Sequence, residues 1–90
     1  MGDVSVRSEA TPNPNARRFL VDRTVQEQPK GRFFSSPEQA DDPLARSLFE
    51  LEGVAAVMLL PASVTVTKTA SASWDVVDEG AQRTIQQHFA

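Results

Sequence analysis

The stretch that decides the fold is residues 54–68, VAAVMLLPASVTVTK. Residues 54–60 are almost all apolar, which is typical of a strand that is buried on both faces or lies inside a sheet. Pro61 and Ala62 predict a turn, and residues 64–68 then alternate between apolar and polar side chains, so the valines should face the core and the threonines should face outward. Because the two strands are joined so tightly, we expect a β-hairpin.

The first third of the chain also predicts strands. Residues 4–8 alternate with a period of two, which suits a short half-buried strand. Residues 11–15 read Thr-Pro-Asn-Pro-Asn and cannot be helical, because each proline removes an amide donor and favours extended conformations before it. Residues 18–22 are β-prone, and residues 25–34 predict a third strand that an internal proline and glycine confine to an edge or interrupt.

Two helix starts follow each other in the middle of the chain. Ser36 precedes a proline, and Gln39 is placed to close a capping box. Asp42 precedes a second proline, which would break one continuous helix. We therefore expect a short turn and then a helix over about residues 43–51, with Gly53 as its C-terminal stop.

A last helix begins after Ser73, a potential N-cap residue. Its apolar residues step by three or four and form one stripe, consisting of Trp74, Val77, Ala81, Ile85 and Phe89. The element order is therefore β-β-β-α-β-β-α. It predicts a single α+β domain over residues 1–90, in two layers, with a mixed β-sheet of about five strands and two helices on one face.

Composition excludes several kinds of chemistry. The formal net charge is −3 with scattered basic residues, so we expect no nucleic-acid partner. The sequence has no cysteine, which removes disulfides, thiol nucleophiles and cysteine-ligated clusters. No apolar run reaches the roughly 20 residues of a membrane span, and the N-terminus lacks the order of a signal peptide. We therefore expect no membrane partner and a cytoplasmic location.

Two groups of polar residues are candidates for protein binding. The first lies in and after the Pro-Asn loop, where a stiff loop loses little entropy on binding, although its asparagines could simply satisfy their own turn. The second is an acidic face of the last helix, which could accept a basic partner or remain merely solvated. The candidate residues are Asn13, Asn15, Arg17, Arg18, Asp75, Asp78 and Glu79. Trp74 could be a binding anchor, but its place on the apolar stripe favours core packing.

Three blocks of sequence resemble the N-terminal domain of the Nfu/NifU iron–sulfur cluster scaffold family. The first is residues 11–15 followed by Phe19. The second consists of residues 43–46, residues 48–49 and the closing Gly53-Val54, and the third is residues 64–68 followed by Trp74. The likeness extends from about residue 5 to the end of the sequence. In full-length members of this family, cluster assembly belongs to a C-terminal domain with a Cys-x-x-Cys motif, which this sequence does not contain.

The resemblance implies a non-enzymatic accessory domain in iron–sulfur cluster assembly, with no cofactor of its own. Its partner would be a Cys-x-x-Cys cluster scaffold domain or an apo iron–sulfur client protein. The main alternative is a general protein-interaction or regulatory domain unrelated to iron. A small metal-dependent enzyme is a third class, but the sequence has no Gly-x-Ser-x-Gly elbow and no glycine-rich phosphate loop, and its one histidine, His88, has no ligand or nucleophile at helical spacing.

Overall fold

The computed structural model describes residues 4–89, which form five strands, two α-helices and one short 3₁₀ turn. The order confirms the predicted β-β-β-α-β-β-α sequence and the α+β class. The expectation of no signal peptide depends partly on residues 1–3, which lie outside the described residues. The strands are β1 Val6–Ala10, β2 Ala16–Val21, β3 Arg32–Phe34, β4 Val54–Leu60 and β5 Ser63–Lys68. The turn is Pro37–Gln39, and the helices are α1 Pro43–Phe49 and α2 Trp74–Phe89.

Every strand pairing among residues 4–89 is antiparallel, which corrects the predicted mixed sheet. The strand order across the sheet is β1-β2-β5-β4-β3. A parallel pairing of β3 with β4 would need a crossover that carries the chain back along a whole strand. The connection from β3 to β4 contains the turn Pro37–Gln39 and the 7-residue helix α1, and it makes no such crossover. The chain returns to the end of the sheet that it left, and Phe34 pairs with Val57 near the start of β4.

The β4–β5 hairpin forms as predicted. Val57 and Leu59 of β4 are fully buried beneath the helices, whereas Met58 and Leu60 point to the opposite side, called the outer face here, and stay partly exposed. In β5 the valines are buried in the core and the threonines lie on the outer face, as predicted. Strand β4 therefore lies inside the sheet, but neither helix covers its outer face.

Two single residues determine where α1 begins and where the chain turns into β4, namely Asp42 and Gly53. Asp42 Oδ1 accepts hydrogen bonds from the backbone N–H groups of Leu44 at 2.9 Å and Ala45 at 3.3 Å. These are donors that the first turn of a helix leaves open, so Asp42 caps α1 as predicted. Gly53 has a φ of 95° and lies where the chain turns into β4. A Cβ at Gly53 would lie 2.7 Å from the Cβ of Ala72, so this position requires glycine on both counts.

The predicted third strand over residues 25–34 is reduced to β3 by one buried side chain. Gln26 is 8% exposed, and its amide nitrogen donates to the carbonyl groups of Gln28 at 3.0 Å and Lys30 at 2.7 Å. Its Oε1 accepts a hydrogen bond from Arg32 Nε at 3.0 Å. Because this side chain, and not a neighbouring strand, satisfies those two carbonyl groups, the segment before β3 remains a loop.

Two local predictions are wrong. The capping box at Ser36 does not form, because Gln39 Oε1 accepts hydrogen bonds from the backbone N–H and the hydroxyl of Ser35. Strand β1 runs over Val6–Ala10, two residues later than the predicted residues 4–8. Its register is set by the pairing with β2, which places β1 at the edge of the sheet.

Both helices pack on one face of the sheet, as predicted, and share one hydrophobic core with it. Helix α1 lies over β4, and α2 lies over β1 and β5. The apolar stripe of α2 is directed into this core through Val77, Ala81 and Ile85, which are almost completely buried. The core residues with no exposed surface include Phe19, Leu48, Val57, Leu59, Val64, Val66, Ala81 and Ile85.

Candidate interaction site

The Pro-Asn loop connects β1 to β2 and is held by its own polar side chains. The Thr11 hydroxyl lies 2.9 Å from the carbonyl oxygen of Asn13 and 3.0 Å from that of Ala16. Asn13 Oδ1 accepts a hydrogen bond from the backbone N–H of Asn15 at 2.9 Å, which closes a local turn. The side-chain oxygen of Asn13 is thus hydrogen-bonded within the loop, which agrees with the alternative that the asparagines satisfy their own turn. The Asn13 residue itself remains exposed.

Asn15 joins the loop to the end of β5. Lys68 donates a backbone hydrogen bond to the Asn15 carbonyl at 2.8 Å, and its Nζ donates to Asn15 Oδ1 at 3.1 Å. Lys68 was not among the residues predicted from the sequence to form a site. The sequence feature that could have pointed to Lys68 is the alternation of β5. It places Lys68 on the same side of the strand as Val66, the side that faces the helices.

Trp74 joins the loop to α2. Its indole Nε1 donates to the carbonyl oxygen of Pro14 at 3.0 Å, and its ring centroid lies 6.5 Å from that of the buried Phe19. The guanidinium carbon of Arg17 lies 5.0 Å from the indole centroid and Lys68 Nζ lies 5.9 Å from it, distances at which cations are attracted to the ring face. Trp74 is half-buried, so it packs against the core and also forms part of the surface.

Arg17 connects β2 to the acidic face of α2. Its Nη1 lies 2.6 Å from Asp78 Oδ2, and Asp78 Oδ1 accepts a hydrogen bond from Gln82 Nε2 at 2.6 Å. The Asp78 side chain is only 14% exposed. Arg17 projects to the helical side because it lies two residues before Phe19, and side chains two apart in a strand share a face.

The environment of Asp78 stabilises its charged form. Partial burial of the carboxylate raises its pKa, but hydrogen bonds from Arg17, Gln82 and Ser8, together with the positive charge of Arg17, outweigh that effect. The net result is a pKa below the ordinary value of 3.8. Asp78 is therefore a fixed negative charge at neutral pH that holds Arg17 in place.

A shallow open groove runs between α2 and the start of β2, with a volume of about 540 Å³. Two further candidates, Asp75 and Glu79, line it and are exposed. Glu79 accepts a hydrogen bond from Arg83 at 2.8 Å, one helical turn away. Asp75 has no ion-pair partner among residues 4–89. The residues that line the groove are Ser8, Arg17, Trp74, Asp75, Asp78, Glu79, Gln82, Arg83 and Gln86.

Arg18 does not join this group. It follows Arg17 in an extended strand, so the two side chains point to opposite faces of the sheet. Arg18 lies on the outer face, where its Nη1 is 3.5 Å from Glu9 Oε1 of the neighbouring strand and both side chains are about half exposed. The structure thus brings together the Pro-Asn loop, Arg17 and the acidic face of α2, and it separates Arg18 from them.

The groove holds polar and charged groups but no set of side chains suited to a metal ion. Within residues 4–89, no three histidine or acidic side chains come close enough together to share one. The whole sequence lacks the cysteines that iron–sulfur clusters require as ligands. The arrangement can form hydrogen bonds and ion pairs with another molecule.

The sequence matches a known protein family. The family described as "Scaffold protein Nfu/NifU N terminal" matches residues 6–90, nearly the whole chain. The chain belongs to this family. Human "NFU1 iron-sulfur cluster scaffold homolog, mitochondrial" is 34% identical over 86 residues, which cover 94% of this chain. "NifU-like protein 5, mitochondrial" of Arabidopsis thaliana is 32% identical over 72 residues, or 80% of this chain.

Solved structures share the fold of the Nfu/NifU N-terminal domain. The crystal structure of protein SAV1430 from Staphylococcus aureus matches with a TM-score of 0.79 at 16% identity and covers 89% of this chain and 96% of that one. The solution structure of SeR13 from Staphylococcus epidermidis matches with a TM-score of 0.59 at 18% identity and covers 98% of this chain and 99% of that one. At these identities the likeness supports the fold alone.

This Nfu/NifU N-terminal domain spans about a third or less of the relatives that it matches, 34% of the human protein and 26% of the Arabidopsis protein. Both of those proteins are described as mitochondrial, and the cytoplasmic location stays a prediction for this chain. In the part of the chain that the structure describes, neither helix has the length and apolar character needed to cross a bilayer.

Proposed function

We propose that this chain is a non-enzymatic docking domain in iron–sulfur cluster biogenesis. It binds a Cys-x-x-Cys cluster scaffold domain or an apo client protein, and the cluster stays on that partner. Membership of the Nfu/NifU N-terminal family supports the connection to cluster assembly. The absence of cysteine supports a role in which this domain binds protein and not the cluster.

The observation that carries the proposal is the convergence of the Pro-Asn loop and the acidic helix face around Trp74. The indole donates to Pro14, and the Arg17–Asp78 ion pair closes the same junction from the other side. These contacts fix the loop against α2 before any partner arrives. A surface that is ordered in advance loses less conformational entropy on binding, which favours affinity.

The charges of the groove favour a basic partner surface. Arg17 is neutralised by Asp78, and Arg83 is paired with Glu79. Asp75 then remains as an acidic group without an ion-pair partner in the described chain. The exposed Glu79–Arg83 pair on α2 can exchange partners at small cost in free energy. A lysine or arginine side chain of the partner would be attracted to this site, because opposite charges guide association and fix orientation.

Docking would act by bringing the cluster donor and its recipient close together. A domain that holds a cluster donor near its recipient converts a bimolecular transfer into one with a high effective concentration. This mechanism requires no catalytic group in the groove. It requires a stable surface, which the loop and α2 provide.

The proposal is tested by a calorimetric titration with a Cys-x-x-Cys scaffold domain that has been loaded with cluster under anaerobic conditions. The double variant Asp75→Asn with Glu79→Gln should bind about tenfold more weakly, because both changes remove negative charge from the groove. Both positions are exposed, so the fold should be unaffected. Raising the salt concentration should weaken wild-type binding more than binding of the double variant.

The matched control is Glu38→Gln, an exposed acidic residue in the 3₁₀ turn that lies outside the groove. It should bind the scaffold domain as the wild type does. Equal weakening by this control would assign the effect to net charge and remove the groove from the proposal. No measurable binding by the wild type, to either the scaffold domain or an apo client, would favour a partner unrelated to iron.

A further inference from the structure

The two edges of the sheet differ in how open they are to another strand. Strand β3, at one edge, has only 3 residues, and very short edge strands are a common protection against unwanted pairing. Strand β1, at the other edge, has 5 residues, no proline and an uninterrupted register with β2. Among residues 4–89, no strand pairs with the free side of β1. This edge therefore offers unpaired backbone groups to another chain.

The free backbone groups of β1 belong to alternate residues. The backbone N–H of Asp22 donates to the carbonyl oxygen of Ser5 at 3.2 Å, so Ser5 and every second residue after it direct their backbone groups toward β2. Val6, Ser8 and Ala10 then direct their N–H and carbonyl groups away from the sheet. A strand added to β1 would pair with these three residues.

The open part of this edge is limited at both ends. On the N-terminal side, Gln86 Nε2 donates to the carbonyl oxygen of Val4 at 3.4 Å, so that acceptor is already used. On the C-terminal side, Pro12 has no backbone N–H. The segment available for pairing is thus residues 6–10, and Ser8 lies at its centre.

The sequence of this segment, VRSEA, is complementary to its own reverse. An antiparallel second copy centred on Ser8 would place Val6 opposite Ala10 and Arg7 opposite Glu9. The residues that exchange hydrogen bonds in this register are the ones whose backbone groups are free. Shifting the register by two residues either way keeps the hydrogen bonds but places Arg7 opposite Arg7 or Glu9 opposite Glu9, and like charges directly opposite are destabilising. Backbone and charge therefore select the same register.

The charges already present on the outer face fit this arrangement. Glu9 lies 3.5 Å from Arg18 of β2 in a loose pair whose side chains are about half exposed. Arg7 is exposed and has no ion-pair partner within residues 4–89. In the paired register each Glu9 would lie between Arg18 of its own copy and Arg7 of the other. The second copy thus adds a cation to the existing pair and supplies the partner that Arg7 lacks.

The charges of α2 do not oppose the arrangement. Two of the three acidic residues of the groove are paired with arginines of their own copy. Asp78 accepts a hydrogen bond from the side chain of Ser8, and Asp75 lies about one turn nearer the start of α2. A two-fold axis at Ser8 would therefore place the Asp75 residues of the two copies at opposite ends of the dimer boundary.

We propose that the chain forms a symmetric dimer through antiparallel pairing of β1 with β1 of a second copy, which joins the two sheets into one. The same residues of both copies form the interface, as two-fold symmetry requires. A strand of another protein could use the same backbone groups, but only the second copy matches the order of VRSEA by itself. The interface is small, so half of the chains should be paired only near roughly 100 μM. The proposal involves no cluster scaffold, so its test is independent of the function proposed above.

The first measurement is amide hydrogen exchange of the ¹⁵N-labelled chain at about 20 μM and about 1 mM. The N–H groups of Val6, Ser8 and Ala10 should exchange about fourfold more slowly at the higher concentration, because pairing protects them. Those of Arg7 and Glu9 face β2 in the monomer and in the dimer, so they serve as internal controls. Sedimentation equilibrium over the same range should show the average mass rising toward that of two chains.

Charge reversal tests the register. Arg7→Glu and Glu9→Arg each place like charges opposite one another, so each variant alone should dimerise about tenfold more weakly than the wild type. An equal mixture of the two restores opposite charges across the boundary and should dimerise again. Both variants keep a negative net charge, since each change shifts the value of −3 by two, so general attraction between them cannot produce this rescue.

The matched control is Lys30→Glu, the same change of charge at an exposed position in the loop before β3. It should dimerise as the wild type does. Exchange and mass that do not depend on concentration would overturn the dimer. Self-association without slower exchange at Ser8 would assign the contact to another surface. Failure of the mixed variants to dimerise, or equal weakening by Lys30→Glu, would overturn the register centred on Ser8.

Discussion

The two faces of the sheet differ in how closely their charged side chains are paired. On the helical side, Arg17 forms a close ion pair with Asp78, and Arg32 Nη2 lies 2.8 Å from Asp42 Oδ2. On the outer face, Arg18 lies at a loose 3.5 Å from Glu9. Most acidic residues lie in the two helical segments, residues 35–53 and 69–89, whereas most basic residues lie in the strands and their loops.

This difference separates two kinds of surface. On the helical side each of these two ion pairs joins a strand to a helix, and the Arg17–Asp78 pair also fixes one side of the groove. On the outer face, the Arg18–Glu9 pair joins two neighbouring strands, and within residues 4–89 neither helix covers the apolar residues beside it. The helical side therefore has an ordered polar surface, and the outer face has an apolar surface beside a loosely paired arginine and glutamate.

The largest expected effect comes from comparing Phe19 with Leu20, neighbours in β2 that point to opposite faces. Phe19 has no exposed surface and lies beside Trp74. Phe19→Ala should lower the free energy of unfolding by about 4 kcal/mol. Leu20 is partly exposed on the outer face, so Leu20→Ala should cost about 1 kcal/mol. Urea denaturation measures both, and similar costs would mean that the outer face is as tightly packed as the core.

A smaller effect separates Arg17 from Arg18. Arg17→Ala leaves the mostly buried carboxylate of Asp78 without its cation. We expect a loss of about 1 kcal/mol, reduced from the value for a buried charged hydrogen bond because the Arg17 side chain is partly exposed. Arg18→Ala removes an exposed, loose pair and should cost less than about 0.5 kcal/mol. A larger loss of stability for Arg18→Ala than for Arg17→Ala would contradict the conclusion that the more stabilising ion pair lies on the helical side.

The smallest effect is a pH dependence at Asp78. Its pKa in the folded chain lies below the ordinary value of 3.8. The ionised carboxylate therefore contributes stability above that value, and the contribution is lost as the pH falls through the lowered pKa. Asp78→Asn should be less stable than wild type near pH 7, and the difference should shrink below pH 3.8, as followed by urea denaturation at each pH. A difference that stays constant in acid would contradict this role.

The sequence was sufficient for much of the fold because the relevant signals are local. The apolar run and alternation of residues 54–68 predicted the hairpin, and Asp42 before a proline predicted the start of α1. The direction of β4 relative to β3 was not predictable in this way, because it depends on the path of the whole connection between the two strands. The extent of β3 depended on Gln26, whose burial and hydrogen bonds form only in the folded loop.

The site was predictable in its parts but not in its assembly. Arg17, Asp75, Asp78 and Glu79 were all singled out from the sequence, and they line one groove. Arg18 was grouped with Arg17 because the two are adjacent, although residues at consecutive strand positions face opposite sides. The hydrogen bond from Trp74 to Pro14 joins residues 60 positions apart, and local patterns carry no information about such a contact.

The most direct test of the proposed docking function is residue-resolved. The ¹⁵N-labelled chain is titrated under anaerobic conditions with a cluster-loaded Cys-x-x-Cys scaffold domain, and amide shifts are followed by NMR. We predict saturable shifts at Asn13, Asn15, Asp75 and Glu79, with the outer-face amide of Phe33 unchanged. Absence of saturable shifts, or shifts at Phe33 without any in the groove, would contradict the account.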